Sequence, residues 1–167
     1  MVENEDFDAA VRCMMDHSEE SWNHDQFQRA VQKVRNSELY YSALDFYYSE
    51  QPELLEKVLM LLISKLDHTR VVQQFTKKSA IFIIVPYMKA VQKENIKSVN
   101  EALNEIYIEE EDHETLRDSV DEYDEFDQIG LAQKIEKRHL AADQHDYQFT
   151  PLVFSHNGQT HLDAVNF

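Results

Sequence analysis

Glycine and proline are nearly absent from this chain, which holds 2 Gly and 3 Pro among its 167 residues. Tight β-turns depend on these residues, because glycine tolerates positive φ values and proline presets the first turn position. A chain with so few of them is poorly suited to a β-sandwich or a β-barrel. Hydrophobic residues make up 43% of the sequence, too many for a wholly disordered chain. The composition therefore predicts an all-α protein.

Apolar residues recur at intervals of three and four in a series of short segments, the period of an amphipathic helix. Nine segments follow one another with no strand signal between them. Their apolar positions are Phe7, Val11 and Met14; Phe27, Ala30, Val31 and Val34; Leu39, Tyr40, Ala43, Phe46 and Tyr47; Leu54, Leu55, Val58, Leu59, Leu61 and Leu62; Val71, Val72 and Phe75; residues 81–92; Val99, Ala102, Leu103, Ile106 and Tyr107; Leu116, Val120 and Tyr123; and Leu131, Ala132 and Ile135. Short connectors predict antiparallel helical hairpins stacked as an α-solenoid. A compact bundle stays open as an alternative, because no clear repeat appears.

Several residues mark the expected helix boundaries. Pro52 suits the first turn of a helix, where its missing N–H is not needed, and Pro86 either kinks a helix or begins one. Asp67 is an expected N-cap. Ser98 and Glu101 have the spacing of a capping box, in which each side chain bonds the exposed amide of the other residue.

The chain is expected to have two parts, an α-solenoid over residues 1–140 and a tail over residues 141–167. The tail has no helical period, and it contains Pro151 and Gly158. We therefore expect an irregular or disordered segment, with a short extended piece around residues 152–154.

The chain is strongly acidic, with 32 acidic and 16 basic residues and a formal net charge of −16. Such a charge repels phosphate backbones and anionic lipid surfaces, which argues against nucleic acid and bare membrane as partners. Eight basic residues and three acidic ones lie between Glu56 and Lys97, whereas residues 105–127 hold twelve acidic residues and one Arg. This asymmetry indicates either steering of a protein partner or well-solvated helix faces.

The sequence also indicates a cytoplasmic protein. Cys13 is the only cysteine, so no intrachain disulfide can form, and its apolar neighbours predict a small core residue. The acidic N-terminus has no apolar signal-peptide core. The longest apolar run, residues 80–88, is too short to cross a bilayer.

No pattern in the sequence points to catalysis, a cofactor or a metal. Two glycines cannot form a glycine-rich phosphate loop, and neither a nucleophile elbow nor a His-Glu-x-x-His motif occurs. Glu110 with His113, and Glu136 with His139, have the Glu-x-x-His spacing of di-metal helical bundles. Both pairs lie among solvated charges, so we interpret the spacing as accidental and expect no enzyme activity.

Seven short stretches, in order and with matching spacing, resemble the clathrin heavy chain family over about residues 2–140. The first reads Glu-Asp-Phe-Asp-Ala-Ala-Val-Arg-Cys-Met-Met-Asp-His and the second Glu-Leu-Tyr-Tyr-Ser-Ala-Leu-Asp-Phe-Tyr. The stretches are residues 5–17, 38–47, 66–70, 86–92, 97–104, 121–127 and 131–137. The resemblance implies heavy-chain repeats, which are helical hairpins stacked into the proximal part of a curved leg.

The resemblance further implies a structural scaffold for coated pits and coated vesicles in endocytosis and intracellular transport. Its expected partners are clathrin light chain and neighbouring heavy-chain legs. In the family, basic heavy-chain residues help to hold a long light-chain helix. Lys33 and Arg35, at the end of the second predicted helix, are the expected contacts here. Alternatively, both residues simply favour the negative end of that helix.

Several readings stay open beside this one. A leg-like solenoid from another vesicle-tethering complex would have a similar pattern, and so would a truncated, non-functional product. A metal-dependent helical hydrolase fits least well. The family sequence continues beyond residue 140 into further hairpins, whereas this chain changes character there. If the hairpins at its ends lack polar caps, we expect the first and ninth helices to fray or to self-associate.

Overall fold

The computed structural model of the chain describes the backbone of residues 6–156 and the side chains of residues 6–143. Within this range the secondary structure is entirely helical, which confirms the all-α prediction. The helices are α1 (Phe7–Asp16), α2 (Ser18–Ser21), α3 (His24–Val31), α4 (Glu38–Glu50), α5 (Leu55–Leu62), α6 (His68–Lys77), α7 (Val85–Val91), α8 (Lys97–Glu109), α9 (His113–Glu122) and α10 (Gln128–His156). Short 3-10 turns, Pro52–Leu54, Ile81–Ile84 and Gln92–Glu94, flank α5 and α7.

The chain divides into two compact units, Met1–Leu103 and Asn104–Phe167, and the division falls within α8. In the first unit each helix packs on helices close to it in sequence. α1 contacts α3 and α4, α4 contacts α5, and α5 contacts α7. Packing between near neighbours is the pattern expected of helical repeats, in which each hairpin buries its apolar face against the next.

The core of the first unit is built mainly from the predicted apolar positions, with Leu44 as a buried residue that the sequence analysis did not list. Its fully buried side chains come from every helix of the unit except the single turn α2, and they include Val11, Phe27, Val31, Ala43, Leu44, Tyr47, Leu55, Val58, Leu62, Val71, Phe75, Ile84, Tyr87, Met88, Val91, Val99 and Leu103. Burying one such aliphatic or aromatic side chain contributes about 1.5–3 kcal/mol. The helical period therefore fixes which face of each helix points inward.

Trp22 closes the link between α2 and α3 onto α4. Its ring centroid lies 5.9 Å from that of Phe46 and 6.0 Å from that of Tyr47. Phe27 and Tyr47 meet edge to face at 5.4 Å in the same cluster. Edge-to-face contacts of this kind add to the area that the rings bury. The cluster holds the short link between α2 and α3 against the following hairpin.

The predicted boundaries at Asp67, Pro52 and Pro86 are confirmed. The side chain of Asp67 accepts a hydrogen bond from the backbone N–H of Arg70 at 3.1 Å, so it caps α6. Pro52 begins the 3-10 turn that leads into α5, and Pro86 lies in the first turn of α7. α7 begins at Val85, so Pro86 lies in the first turn, where the missing N–H of proline is not needed.

The predicted capping box at Ser98 is wrong. α8 begins at Lys97, so Ser98 lies inside its first turn. The Ser98 hydroxyl donates to Thr69 Oγ1 at 2.9 Å, and Lys97 forms an ion pair with Glu101 at 3.9 Å. Ser98 therefore does not stand at the N-cap position that the motif requires, and its hydroxyl makes a tertiary contact to α6.

Cys13 is exposed, so the prediction that it is a small core residue is also wrong. Val11 occupies the buried position of α1 instead, with no accessible surface. Residues two apart on an α-helix do not share a face. Cys13 therefore points away from the core that Val11 enters.

The second unit runs from the later part of α8 through α9 and α10. Among its described side chains, to residue 143, the buried apolar residues are Ile106, Tyr107, Ile108 and Leu116. The Ser119 hydroxyl donates to Asn104 Oδ1 at 2.8 Å and joins α9 to α8. Lys134 of α10 forms an ion pair with Glu105 at 3.1 Å.

The prediction of an irregular segment from residue 141 is wrong as far as residue 156. α10 continues to His156, so residues 141–156 are helical, including the predicted extended piece at 152–154. No glycine or proline lies between Gly130 and Pro151, so the backbone donors of the helix are uninterrupted over this stretch. The rest of the predicted tail, residues 157–167, lies outside the described residues. The two-part division after residue 140 stays a prediction.

Candidate partner-binding surface

The predicted contact residues Lys33 and Arg35 lie in the connector between α3 and α4. The sequence analysis placed both residues at the end of the helix. α3 ends at Val31, however, so both residues follow the helix. Both side chains are exposed. The connector is tied to α1 by Asp8, whose carboxylate accepts the backbone N–H groups of Arg35 at 2.7 Å and Asn36 at 3.1 Å. This arrangement holds the backbone while the two cationic side chains reach the surface.

Lys33 packs over the edge of α1. Its ammonium nitrogen lies 4.9 Å from the centroid of the Phe7 ring. At an exposed site such a cation–π contact contributes about 0.5–1 kcal/mol. This weak contact orients the ammonium group without neutralising it.

Lys65 joins the same surface, although the sequence analysis did not identify it. Its ammonium group donates to the backbone carbonyl of Gln32 at the end of α3, and it lies 5.8 Å from the centroid of the Tyr40 ring. Lys65 follows α5, which packs on α4. The tertiary fold therefore adds a third cation to the connector. We call Lys33, Arg35 and Lys65 the connector cations.

A second polar surface lies between α4 and α6. Arg70 binds both carboxylate oxygens of Glu38, at 2.7 and 2.5 Å, and its guanidinium carbon lies 3.7 Å from the centroid of the Tyr41 ring. Asp45 accepts from Gln74 at 2.5 Å and pairs with Lys78 at 3.3 Å. These residues line an open cleft of about 550 Å³. Its charges are largely paired within the protein.

His68 links the start of α6 to α7 and the 3-10 turn that follows it. Its Nδ1 lies 2.5 Å from the Tyr87 hydroxyl, and its Nε2 lies 3.4 Å from Glu94 Oε2. Tyr87 is fully buried. Burial raises the pKa of Tyr87 above its ordinary value of about 10, and the charges of Glu94 and Asp67 add to the shift. Tyr87 therefore stays a neutral phenol that can donate to or accept from the imidazole.

The described side chains contain no group of three His, Cys, Asp or Glu residues that could hold a metal ion. His113 and His139 line a small cleft of about 190 Å³ with Arg138 and Glu111. Arg138 and Glu111 form an ion pair at 3.7 Å there. This arrangement gives no support to a di-metal site built from the two Glu-x-x-His pairs.

Across the part of the chain with described side chains, no helix combines the length and the apolar character that a membrane span requires.

The helices pack on their near neighbours in sequence, and exposed charges line their connectors. The packing is that of a helical-repeat protein. The chain belongs to the clathrin heavy chain family. Residues 59–166, more than half of the chain, match the family model described as "Region in Clathrin and VPS".

Curated relatives support the same assignment. The chain is 52% identical over 139 residues to clathrin heavy chain 1 of Arabidopsis thaliana and 51% identical over 139 residues to clathrin heavy chain 1 of Oryza sativa subsp. japonica. It is 47% identical over 136 residues to clathrin heavy chain 2 of Homo sapiens. These alignments cover 83%, 83% and 81% of the chain, and 8% of each relative.

The chain thus spans about 8% of the length of these relatives. The family-model match extends to residue 166. It therefore includes most of the segment beyond residue 140, which we had expected to depart from the family.

Proposed function

We propose that this chain is a structural segment of a clathrin coat that binds other proteins and catalyses no reaction. The observation that carries the proposal is its identity of about 50% to clathrin heavy chains over 83% of its length. The proposed role belongs to vesicle-mediated transport and endocytosis, at the cytoplasmic side of coated pits and coated vesicles. The proposed partners are clathrin light chain and other heavy-chain legs.

The connector cations are the proposed contact for light chain. Lys33 and Arg35 project from a connector whose backbone is fixed by Asp8, and Lys65 lies beside them. Exposed charges at the rim of an interface steer association and fix its register. A partner helix with carboxylates along one face would complement them.

Calorimetric titration with purified clathrin light chain tests the proposal, after circular dichroism has confirmed helical folding. We expect saturable binding that weakens with added salt, because salt screens exposed charge pairs. Lys33→Glu together with Arg35→Glu should reduce the affinity by about tenfold, since each lost pair at an exposed site has a small effect.

The matched control reverses Lys57 and Lys93, two exposed cations outside the connector. Lys57→Glu together with Lys93→Glu changes the net charge by the same amount, and we expect it to retain most of the affinity. If both double variants lower the affinity for light chain equally, net charge alone explains the loss. Lys33 and Arg35 would then have no specific role in binding. A folded native chain that binds no light chain would contradict the proposed partner.

A further inference from the structure

The turn between α6 and α7 exposes two large apolar side chains side by side. Phe82 is 49% exposed and Ile83 is 45% exposed. Both lie in the 3-10 turn Ile81–Ile84 and follow the exposed cations Lys77 and Lys78 at the end of α6. We call these four residues the basic apolar turn. Adjacent apolar side chains on a protein surface mark interaction sites more often than single ones do.

The backbone of this turn is held on both sides. Ala80 and Ile84 are buried, and the Ile83 N–H donates to the Ala80 carbonyl at 3.1 Å. The N–H of Ala80 donates to Phe75 and that of Ser79 to Thr76, both at 2.9 Å. This pair of bonds is the Schellman pattern that ends a helix. Phe82 and Ile83 are therefore presented outward from a fixed backbone.

The turn lies in the most basic part of an acidic chain. Between Asp67 and Glu94 no acidic residue occurs, whereas five basic residues do: Arg70, Lys77, Lys78, Lys89 and Lys93. The chain as a whole carries a formal charge of −16. Two of these cations already pair with carboxylates of α4: Arg70 with Glu38, and Lys78 with Asp45 at 3.3 Å. Lys77 adds a further exposed positive charge beside them. A partner for this surface should therefore be acidic and should carry apolar anchors.

The chain itself contains a segment of that chemistry. Residues 121–129 read Asp-Glu-Tyr-Asp-Glu-Phe-Asp-Gln-Ile and include the connector between α9 and α10. Tyr123 and Phe126 are half-buried, and Ile129 is 74% exposed. Asp121 and Glu122 are exposed at the end of α9. We call residues 121–129 the acidic aromatic segment.

We propose that the acidic aromatic segment of one copy docks on the basic apolar turn of a second copy. The two surfaces are complementary in charge, and each carries exposed apolar side chains. Because the surfaces differ, every copy carries both halves of the contact, and association can extend beyond a dimer. The inference rests on the proposed assembly with other legs and gives that assembly a location. It does not depend on light chain.

Sedimentation velocity of the full chain tests the contact by charge reversal. The native chain should gain mass as its concentration rises, and added salt should reverse this gain. One variant carries Lys77→Glu and Lys78→Glu, and the other carries Asp121→Lys and Glu122→Lys. Lysine is compatible with the C-terminal end of α9, because its positive charge interacts favourably with the partial negative charge there. Each variant alone places like charges opposite each other, and its self-association should fall by about tenfold or more.

Mixing the two charge-reversed variants is the decisive step. Their opposite charges face each other again in the mixture, so association should return there and in neither variant alone. The control Arg12→Glu with Lys57→Glu reverses two exposed cations elsewhere, and it should self-associate like the native chain. Phe82→Ser with Ile83→Ser should also weaken association, through the apolar part of the contact. Circular dichroism checks that each variant is folded.

Three outcomes would overturn the proposal. The mixture of the two charge-reversed variants could stay monomeric, or each charge-reversed variant alone could associate like the native chain. The third is a native chain that stays monomeric at every concentration. Binding of such a monomer to phosphatidylserine vesicles through Lys77 and Lys78 would reassign the turn to lipid. Light-chain affinity is a separate measurement, because these substitutions leave Lys33 and Arg35 unchanged. Failure of the light-chain proposal is therefore distinguishable from failure of this one.

Discussion

Glu38 and Arg70 form a bidentate ion pair that joins the first turn of α4 to the first turn of α6. The two guanidinium nitrogens lie 2.7 and 2.5 Å from the two carboxylate oxygens. The partners are 32 residues apart in sequence. The guanidinium group also stacks on the face of the Tyr41 ring, with its carbon 3.7 Å from the ring centroid. This contact is a cation–π interaction and restrains the orientation of the charged group. A planar fork of this kind is specific to arginine.

The pair predicts a pH effect at Glu38. The hydrogen bond from Arg70 lowers the pKa of Glu38 below its ordinary value. A lowered pKa in the folded state stabilises the protein above the unfolded pKa, and this contribution is lost as the pH falls through the lowered value. In Arg70→Gln the pKa of Glu38 should rise to its ordinary value, measured by NMR titration of the carboxyl carbon. Glu53, exposed on another element, is the internal reference. An unchanged pKa of Glu38 in the variant would contradict the pairing.

Asp8 should be important for the stability of the connector between α3 and α4. Asp8→Ala removes the acceptor for two backbone N–H groups, those of Arg35 and Asn36. The free energy of unfolding should fall by about 1–2 kcal/mol, as for the loss of a capping side chain. Urea denaturation gives this value. Asp16→Ala, at an exposed site near the end of the same helix, should change it by less than about 0.5 kcal/mol. If both substitutions lower the free energy of unfolding equally, the hydrogen bonds from Arg35 and Asn36 to Asp8 do not stabilise the connector.

Ser79 occupies a backbone conformation that favours glycine. Its φ is 54°, and it ends α6 in a Schellman motif. Ser79→Gly should therefore raise the free energy of unfolding by about 1 kcal/mol, because glycine carries no Cβ penalty in the left-handed region. Gln73→Gly, at an exposed site within α6, should lower it by about 1 kcal/mol. Thermal or urea unfolding compares the two, and a destabilised Ser79→Gly variant would count against this conformation.

Leu59 and Met60 are adjacent on α5 but face opposite environments. Leu59 is 1% exposed and Met60 is 43% exposed. Leu59→Ala should lower the free energy of unfolding by about 2–5 kcal/mol, because it leaves a cavity in the core. Met60→Ala should lower the free energy of unfolding by less than about 1 kcal/mol, since the Met60 side chain already contacts solvent. The comparison in urea tests the register of α5, and similar losses at the two sites would mean that the register is wrong.

The sequence predicts those features that depend on local chemistry. The cap of α6 at Asp67 and the helix start at Pro86 need only neighbouring backbone groups, so short patterns are enough to find them. The buried faces follow from the helical period, as at Leu55, Val58 and Leu62. These predictions are correct because a residue three or four positions away sets the outcome.

The features that sequence reasoning missed depend on distant partners or on exposed helix. Ser98 bonds Thr69, 29 residues away, instead of capping α8. Lys65 reaches Gln32 across 33 residues, so no local pattern connects it to Lys33 and Arg35. The later part of α10 has no apolar stripe to reveal it, because residues 136–143 are all exposed. A helix with no buried face lacks the period that the prediction used.

Hydrogen exchange of the full chain, with and without clathrin light chain, tests the central claim most directly. The account predicts that light chain slows exchange at residues 32–38 and 64–66, which carry the connector cations. Lys33→Glu with Arg35→Glu should remove that protection while the exchange of the buried core stays unchanged. Protection confined to residues 104–127, or no change anywhere in a folded chain, would contradict the account.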